Sequence, residues 1–564
     1  MDYEVLLINA VRTISIGTEY MQDCIGLHIL AEYLHERDFR AKVFSGVASE
    51  VKRVIVKEIT AKKVPVIGFY VSSDNLILTK NIIKWIKKEY PKIIIVLGGP
   101  QTETFDYDFF IETSADYAVI GEGEIPLFQL LLYLIDGAGE IDQIPSLSYI
   151  FAGKLVKNSI GNSYISDLDM IPFPKFYNSL NPMFRKRETI GLITGRGCPF
   201  HCSFCYEGKY SKNVRFRSLE NVFREIDYIV KNNPKLEYIN IYDDTFTVNT
   251  ERLIYFCKEI KRRNLKWYCE GHVRFFKQHP EMLEVMKDAG LVGIQLGIES
   301  GSKEVLNAYN KQISPEDILD VVSMIKNAGI NHVCGNLIIG GAKETERTLS
   351  ETELFGKQLI TVGRGIIELT TVYFSPYPNT AITTDPECYD MKICEDAHNS
   401  QIASMRKPVA KTKELELHDI WNAKKRLDKI FEKEYVNQAL HITKKEMIQG
   451  LLHENHVLNN NRTWIKTYRS IDFLCEFMDH LDSDEQEYSK EKYPIRTFDD
   501  YIFEQGTLVS IAGSYYGTDA LFLHYANGQY RCEEIAVELQ LTDDQISNIY
   551  EHLNEKCLVY MSTF

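Results

Sequence analysis

The chain is 564 residues long and carries 64 Lys and Arg against 79 Asp and Glu, which gives a formal net charge of −15. This length predicts several domains, and 45% hydrophobic with 25% charged residues is typical of a chain that buries large cores. The acidic balance argues against a protein that binds nucleic acid through a general basic surface. Because the sequence shows neither a membrane-spanning apolar run nor the features of a signal peptide, we expect a cytoplasmic protein with no membrane or nucleic-acid partner.

Residues 1–136 alternate buried-strand patterns with amphipathic helical patterns. Strands are predicted over 4–10, 65–71, 92–99 and 116–123, and helices over 24–37 and 74–90. This alternation predicts a doubly wound, Rossmann-like parallel sheet whose ligand lies over the carboxyl ends of the strands. Three of those ends carry small or polar residues that let a ligand approach the backbone: Ser72, Ser73, Gly98, Gly99, Pro100, Gln101, Gly121, Glu122 and Gly123.

A second alternating series follows an ordered linker, which prolines and aromatic residues predict over residues 137–186. Between 187 and 385, strands are predicted over 188–195, 236–244, 265–271, 291–300, 330–341 and 366–376, with helical patterns between them. Six strand–helix units predict a partial (β/α)6 barrel, so the chain belongs to the α/β class. The chemistry of such a barrel lies at the carboxyl ends of its strands.

The alternation stops after about residue 385. Residues 386–500 are predicted to be a helical region, because they are charged and helical in pattern, and they carry no motif that indicates a function. Residues 501–564 are predicted to form a separate winged-helix-like module, with a turn at Asn527-Gly528 and a helix that begins at Thr542. Acidic residues outnumber Arg531 and Lys556 in its last part, which argues against nucleic-acid binding.

Three of the twelve cysteines lie close together in GRGCPFHCSFCYEG, directly after the first barrel strand. Cys198, Cys202 and Cys205 have the spacing that suits three irons of a cubane cluster and leaves the fourth iron without a protein ligand. A structural zinc site is the alternative, with His201 as a fourth ligand whose position inside the loop would strain that geometry. The other nine cysteines are scattered and are expected to be small buried hydrophobes.

The spacing Cys-x3-Cys-x-aromatic-Cys, with Phe204 as the aromatic residue, resembles the motif of the radical S-adenosylmethionine (SAM) superfamily. The resemblance implies that the open iron chelates the amino and carboxylate groups of SAM, and that Phe204 lies near the adenine. A reduced cluster then cleaves SAM to methionine and a 5′-deoxyadenosyl radical, which abstracts hydrogen from a substrate. An electron donor such as a flavodoxin or ferredoxin is therefore an expected partner.

Four further segments match the superfamily at the ends of strands two to five: YDDTF (242–246), GHVRFF (271–276), GIES (297–300) and GNLIIGGAKET (335–345). In the family, these strand ends hold the amino, carboxylate and ribose groups of SAM. The resemblance thus implies that Asp244, Arg274 and Glu299 bind SAM. The chemistry agrees, since a glutamate accepts hydrogen bonds from hydroxyls and an arginine pairs with a carboxylate.

The N-terminal order LLINA, GFYVSSDN, VLGGPQTE and DYAVIGEGE resembles the cobalamin-binding domain that precedes many radical SAM enzymes. The resemblance covers about residues 1–380 and implies cobalamin beside the [4Fe–4S] cluster and SAM. The Asp-x-His-x-x-Gly signature of a lower axial histidine is absent, as it generally is in this subfamily, so no cobalt ligand is predicted. A Rossmann-like domain that has lost its cofactor is the alternative.

A cobalamin-dependent radical SAM enzyme of this kind would methylate cob(I)alamin with one SAM and cleave a second SAM at the cluster. The substrate radical would then collect the methyl group from cobalt. Tyr242, Asp243 and Tyr373 are predicted to face the substrate and to assist proton or electron movement. The C-terminal module resembles small precursor-peptide recognition domains, which implies a ribosomal peptide as the substrate, with a small natural-product intermediate as the other candidate.

Two alternatives stay open. The first keeps the cofactors but ends in cyclopropane or other ring formation, or in oxidative rearrangement. The second is a non-catalytic iron–sulfur binding or redox-sensing protein. A methylthiotransferase is disfavoured, because it would require a cysteine-rich N-terminal cluster domain and Cys24 stands alone there.

Overall fold

The computed structural model describes residues 4–11, 24–62, 64–161, 163–175, 180, 189–207, 214–394, 407–451, 463–481 and 486–562. They form two compact units, the first drawn from residues 1–317, 336–352 and 371–425 and the second from 318–335, 353–370 and 426–564. The end of the predicted linker and residues 187–188 lie outside the described residues. In the described part of the chain, none of the helices is both long and apolar enough to cross a bilayer.

A seven-stranded sheet with the order β2-β1-β3-β4-β5-β6-β7 forms the N-terminal part of the first unit. Strands β1 to β5 pair in parallel, whereas β6 and β7 pair antiparallel at one edge. The strands are β1 Val5–Val11, β2 Ala41–Val47, β3 Val66–Tyr70, β4 Ile94–Gly98, β5 Tyr117–Val119, β6 Leu147–Phe151 and β7 Lys154–Lys157. The helices are α1 Ile25–His35, α2 Ala48–Lys62, α3 Leu76–Glu89, α4 Tyr107–Thr113 and α5 Glu124–Leu131. Apolar side chains on the two faces of this sheet form two separate hydrophobic cores.

Two parts of this sheet differ from the sequence prediction. The pattern of β2, AKVFSGV, is interrupted by Lys42, Ser45 and Gly46, yet all seven of its residues pair in register with β1. Residues 137–186 are not all linker, because the hairpin of β6 and β7 completes the sheet beside β5. Strands β6 and β7 are short, and β7 is largely exposed. Their place in the sheet depends on pairing with β5 and with each other, which the local apolar pattern does not reveal.

All six predicted barrel strands are present in a sheet with the order β15-β14-β13-β12-β11-β8. The strands are β8 Thr189–Leu192, β11 Tyr238–Ile241, β12 Lys266–Gly271, β13 Leu291–Glu299, β14 Val333–Ile339 and β15 Ile367–Tyr373, and a short antiparallel pair, β9 Gly195–Arg196 and β10 Arg215–Phe216, follows β8. The helices are α6 Leu219–Asn232, α7 Thr250–Arg262, α8 Val273–Gln278, α9 Met282–Asp288, α10 Lys303–Ala308, α11 Pro315–Asn327, α12 Glu346–Val362 and α13 Ala381–Thr384. Side-chain caps fix where several of them begin, for example Ser218 before α6 and Asn249 before α7.

The remaining elements are β16 Met391–Ile393, β17 Ala410–Thr412, α14 Leu417–Ala439, α15 Lys444–Leu451, α16 Thr463–Arg469, α17 Asp472–Asp479, β18 Tyr493–Arg496, β19 Tyr501–Glu504, β20 Thr507–Ser510, β21 Gly513–Tyr516, α18 Gly517–Tyr525, α19 Cys532–Leu539, α20 Asp543–Glu555 and β22 Val559–Ser562. The predicted helical region 386–500 thus holds three strands besides its helices. One of them, β18, pairs antiparallel with β22 and so joins the C-terminal module. The predicted helix start is confirmed, since the Thr542 side chain accepts a hydrogen bond from the backbone N–H of Gln545.

Within the first unit, an ion-pair cluster joins the N-terminal sheet to the first barrel loop. Arg196 Nη2 lies 2.6 Å from Glu124 Oε1, Arg196 Nη1 lies 3.0 Å from Glu122 Oε2, and Arg215 also pairs with Glu122. We call Arg196, Arg215, Glu122 and Glu124 the Arg196 clamp. Burial opposes the ionisation of Glu124, which is 3% exposed, yet the Arg196 guanidinium holds the pKa of that carboxyl below its usual range.

The clamp predicts strong coupling between Arg196 and Glu124. Arg196→Ala leaves the buried Glu124 carboxylate without its guanidinium, and Glu124→Ala leaves Arg196 with Glu122 as its one remaining partner in the clamp. We therefore expect the double variant to lose about 1–3 kcal/mol less stability than the two singles summed. Urea unfolding of the four proteins measures this difference. The matched control is the cycle at Arg263 and Asp227, whose carboxylate side chain is 58% exposed and should couple by less than about 1 kcal/mol. Equal coupling free energies in both cycles would show that the clamp stabilises the fold no more than an exposed ion pair does.

Candidate functional site

The three clustered cysteines lie on a loop that directly follows β9, and all three are half-buried. The backbone N–H of Gly197 donates to Asp244 Oδ2 at 2.7 Å, and Cys198 Sγ lies 3.2 Å from the hydroxyl of Thr245. At the other end of the loop, the Ser203 hydroxyl donates to the carbonyl of Ala308 at 2.7 Å. The residues after β11 and the end of α10 therefore fix the position of the loop.

Lys311 is the charged residue at this loop that sequence analysis missed. It is 5% exposed, and its Nζ lies 3.1 Å from Oε1 of Glu299, which is 8% exposed. Burial lowers the pKa of Lys311, but Glu299 and the thiols of Cys202 and Cys205 reverse this and raise it. Burial likewise raises the pKa of the Cys202 thiol, and Lys311 opposes that shift. Lys311 thus supplies positive charge where thiolates must form.

A glycine makes room for this ion pair. A Cβ at Gly297 would lie 2.5 Å from Lys311 Nζ and 2.7 Å from Glu299 Oε1, closer than such atoms approach one another. The backbone of Glu299 itself is left-handed, with φ of +60°, which is uncommon for a residue with a side chain. The end of β13 is therefore shaped to bring the Glu299 carboxylate to the lysine.

The residues that the resemblance assigned to SAM lie in different settings. The Phe204 ring packs edge-on against Tyr309 at 4.9 Å, and Asp244 and Glu299 lie at the cysteine loop. Arg274 is exposed, and its guanidinium donates to Gln312 Oε1 at 2.7 Å. The structure thus brings Phe204, Asp244 and Glu299 to one place and leaves Arg274 at the surface, while SAM binding by each of them stays a prediction.

The three predicted catalytic residues also differ in their surroundings. Asp243 is 3% exposed and accepts from the backbone N–H of Thr194 at 2.6 Å and from its hydroxyl at 2.5 Å, while burial raises its pKa to about 6. Tyr242 is 37% exposed. Tyr373 is buried and its ring stacks on Trp421, with centroids 6.2 Å apart. Asp243 therefore supports the strand end that precedes the cysteine loop, and the catalytic roles of all three stay predictions.

Two further carboxyl groups near the loop have pKa values shifted towards neutrality. Burial raises the pKa of Glu207 to about 7, and the charges of Asp244 and Glu122 add to the shift. Burial also raises the pKa of Glu270 to about 7, and Gln295 Nε2 donates to that carboxyl at 3.1 Å. At neutral pH each of these two carboxyl groups is protonated part of the time. The site therefore carries less negative charge than its number of acidic residues suggests.

The carboxyl ends of β3, β4 and β5 form an edge with room above it. Gly99 has φ of +99°, and a Cβ there would lie 2.6 Å from the carbonyl oxygen of Val71, so only glycine lets these two loops approach. A Cβ at Gly98 or Gly121 would meet no atom within 4 Å. This open, glycine-lined edge fits a large ligand such as cobalamin.

Of the other residues predicted at this edge, Glu122 is engaged in the Arg196 clamp and Gly123 lies against Leu30. The Ser72 backbone N–H donates to Asn75 Oδ1 at 2.9 Å, so it ends the strand in a turn. Gln101 donates its backbone N–H to the carbonyl of Val71 at 3.2 Å. Their contacts with a cofactor, like those of Ser73, Pro100 and the glycines, stay predictions.

The cysteine loop fits an iron–sulfur cluster by its donors. Three half-buried thiols on one loop can supply a ligand to three of the four irons of a cubane, and the lysine beside two of them can compensate part of its negative charge.

Two family models match the chain in this order: the B12 binding domain over residues 14–131 and the radical SAM superfamily over residues 192–355. An uncharacterized methyltransferase of Pyrococcus horikoshii is 30% identical over 368 residues, which cover 64% of this chain and 77% of that protein. The anaerobic magnesium-protoporphyrin IX monomethyl ester cyclase of Cereibacter sphaeroides is 29% identical over 318 residues, or 54% of this chain and 50% of the cyclase. The chain thus spans half the length of that cyclase.

A solved structure shares the fold. The cobalamin-dependent S-adenosylmethionine radical enzyme OxsB, with aqua-cobalamin and S-adenosylmethionine bound, gives a TM-score of 0.62 at 16% identity, over 86% of this chain and 74% of OxsB. The predicted α/β architecture of Rossmann-like domain and partial barrel is therefore confirmed. With both family models in this order and the Pyrococcus relative matched over three quarters of its length, the chain belongs to the cobalamin-dependent radical SAM enzymes, whose cofactors are a [4Fe–4S] cluster, SAM and cobalamin.

Proposed function

We propose that this chain is a C-methyltransferase that abstracts hydrogen from an unactivated carbon and replaces it with a methyl group, on a ribosomal peptide or natural-product intermediate. The Arg196 clamp is the observation that carries the proposal. It ties the glycine-lined edge of the N-terminal sheet to the residue two positions before Cys198. A methyl carrier on that edge and a radical source on the cysteine loop are thereby held to each other, as direct methyl transfer to a substrate radical requires.

When bound, the cluster and SAM supply the hydrogen-abstracting radical, and cobalamin supplies the methyl group. The residues of the chain bind these cofactors and orient them. Cys198, Cys202 and Cys205 hold the cluster, Lys311 supplies positive charge beside two of them, and Phe204 with Tyr309 forms an apolar wall. The name of the Pyrococcus relative, a methyltransferase, supports this outcome.

The reaction balances with two SAM molecules and two electrons for each methyl group. One SAM becomes S-adenosylhomocysteine, and the other becomes methionine and 5′-deoxyadenosine, whose new hydrogen comes from the substrate carbon. A flavodoxin or ferredoxin would supply the electrons. No residue has to accept the substrate hydrogen as a proton, so the carboxyl groups of the site serve binding and charge balance.

Metal content tests the two-cofactor arrangement. After anaerobic purification from cells supplied with cobalamin, we expect about four irons and about one cobalt per chain. Cys202→Ala should lose most of the iron and keep the cobalt, because the two groups are held by different parts of the first unit. The matched control, Cys388→Ala, removes an exposed thiol and should keep both metals. Iron without cobalt in the unaltered protein would remove the methyl carrier from the proposal.

Product analysis tests the outcome of the reaction. With SAM, a reductant and a substrate peptide, we expect a mass gain of about 14 Da, with one S-adenosylhomocysteine and one 5′-deoxyadenosine for each methyl group. Mass spectrometry of the peptide and chromatography of the nucleosides provide these numbers. A gain of about 12 Da would indicate methylene insertion with ring closure, and 5′-deoxyadenosine without mass gain would indicate rearrangement.

The C-terminal module supports a peptide as the substrate. Its three-stranded antiparallel sheet, in the order β19-β20-β21, precedes three helices and has β19 and β21 as edge strands. Ile502 and Val509 are directly paired across the sheet and are 66% and 45% exposed, whereas Leu508 on the opposite face is buried. An edge strand beside an exposed apolar face is a site where an extended peptide adds as a further strand.

A charge on this sheet face should weaken peptide binding. We expect Val509→Asp to raise the Kd of peptides encoded beside the gene at least about tenfold, which is about 1.4 kcal/mol, because it places a carboxylate on an apolar contact surface. Fluorescence anisotropy with labelled peptides measures the Kd. The control, Val537→Asp, changes an 80% exposed valine on α19, away from this sheet, and should leave it unaltered. Equal affinity of both variants would place peptide recognition elsewhere.

A further inference from the structure

His272 lies at the end of β12 and caps α8 from within the first unit. Its side chain is 6% exposed. Its backbone N–H donates to the hydroxyl of Thr247 at 3.3 Å, and its Nδ1 accepts from the backbone N–H of Arg274 at 3.2 Å. The Nδ1 contact holds the imidazole in one orientation at the carboxyl end of a barrel strand, where active sites of this architecture lie.

The cap decides which ring nitrogen carries the proton. Because Nδ1 accepts a hydrogen bond, the neutral imidazole carries its hydrogen on Nε2. Burial lowers the pKa of His272 to about 3, and the positive charges of Lys311 and Arg274 add to the shift. The side chain is therefore a neutral donor that points its Nε2–H in a fixed direction.

The Nε2 atom is fully buried and has no hydrogen-bond partner among the described residues. A buried donor without an acceptor destabilises the folded chain, because it has lost its hydrogen bonds to water and gained none in return. Ser caps a helix as well as His does and buries no second polar atom, so the cap alone does not explain a histidine here. An acceptor supplied by a bound group would remove this cost.

The surroundings of the ring show where such a group lies. The imidazole stacks on Phe200, with centroids 3.8 Å apart and planes 14° apart, and Phe200 lies between Cys198 and Cys202 on the cysteine loop. Lys311, which faces the thiols of that loop, also acts electrostatically on His272. His272 is thus part of the wall of the cluster site.

We propose that His272 donates a hydrogen bond from Nε2–H to an anionic acceptor held by the cysteine loop, either a sulfur of the cluster or the carboxylate of SAM bound to it. This rests on the proposed function only in placing the cluster at Cys198, Cys202 and Cys205. A donor directed at a cluster sulfur stabilises the reduced, more negative cluster and raises its reduction potential. A donor directed at the SAM carboxylate strengthens SAM binding.

Two substitutions separate the donor from the cap. His272→Asn keeps an oxygen that caps α8, but its side chain ends short of the Nε2 position. His272→Gln places an amide N–H close to the Nε2 position and loses the cap. Both remove the stack on Phe200. If the donor matters, Asn disturbs the cluster site and Gln restores it, and a purely structural role predicts the opposite order.

The test is a redox titration of the reconstituted holoenzyme, followed by EPR, with and without SAM. If the acceptor is a cluster sulfur, the effect should be present without SAM. At a fixed potential, the ratio of reduced to oxidised cluster should then be about tenfold lower in His272→Asn, which corresponds to a reduction potential lower by about 59 mV for one electron. For a donor to the carboxylate, His272→Asn should instead raise the Kd of SAM about tenfold. In both cases His272→Gln should stay within about threefold of the unaltered protein.

Pulsed EPR of the reduced enzyme labelled with ¹⁵N-histidine adds a direct readout, since a hydrogen-bonded Nε2 should give a nitrogen coupling that His272→Asn removes. Unaltered titrations in both variants would overturn the proposal. Equal losses in Asn and Gln would overturn it too, since they would assign the effect to the lost stack on Phe200. If the unaltered protein contains no iron, the proposed function is overturned. If it contains an intact cluster whose potential and SAM affinity do not change in the His272 variants, this inference alone is overturned.

Discussion

The Arg196 clamp is the interaction on which the arrangement of the first unit depends. A guanidinium largely removed from water is tolerated only when carboxylates meet it, and its two partners are Glu122 in the loop between β5 and α5 and Glu124, the first residue of α5. Gly197 and Cys198 follow Arg196 directly, so the same ion pairs set where the cysteine loop begins. Radical chemistry at one cofactor and methyl transfer from another succeed only over a short and fixed separation. In the proposed reaction, the clamp supplies that constraint.

Charge balance explains the next level of organisation. Thiolates, a cluster and several carboxyl groups concentrate negative charge in a partly buried place, which is costly unless cations or protons compensate it. Lys311 provides a cation beside Cys202 and Cys205, and Gly297 leaves the space that its ammonium group needs. Glu207 and Glu270 contribute in another way, because pKa values of about 7 let them hold protons at neutral pH. The lysine and the two protonatable carboxyl groups thus reduce the net negative charge near the cysteine loop.

Sequence patterning predicted what depends on local order. The six barrel strands, four strands of the N-terminal sheet and the helix start at Thr542 all have apolar spacing or caps within a few residues. The cysteine loop was found because its three ligands lie within eight positions of one another. Strand β2 was missed because a lysine, a serine and a glycine hide its burial, which the neighbouring strand β1 provides.

Residues whose meaning depends on distant partners were missed for the same reason. Lys311 pairs with Glu299, 12 positions earlier in the chain, and Arg196 pairs with Glu124, 72 positions earlier. Near GHVRFF, the motif located the right strand end, and Arg274 was the natural candidate because of its charge. In the structure the residue before the helix, His272, is buried, while Arg274 in its first turn is exposed, and SAM binding by Arg274 stays a prediction.

With a cluster sulfur as the acceptor of His272, Lys311 and His272 would favour reduction of the cluster in two different ways. Lys311 acts through its positive charge, which nearby carboxylates offset. Glu299, 3.1 Å away, already offsets part of that charge. A neutral N–H donor acts through a directed hydrogen bond, and nearby carboxylates do not cancel it. A site this rich in acidic groups gains more from the second device than from a further cation. Burial that keeps His272 neutral therefore preserves Nδ1 as the acceptor that caps α8, and this cap aims the Nε2–H donor.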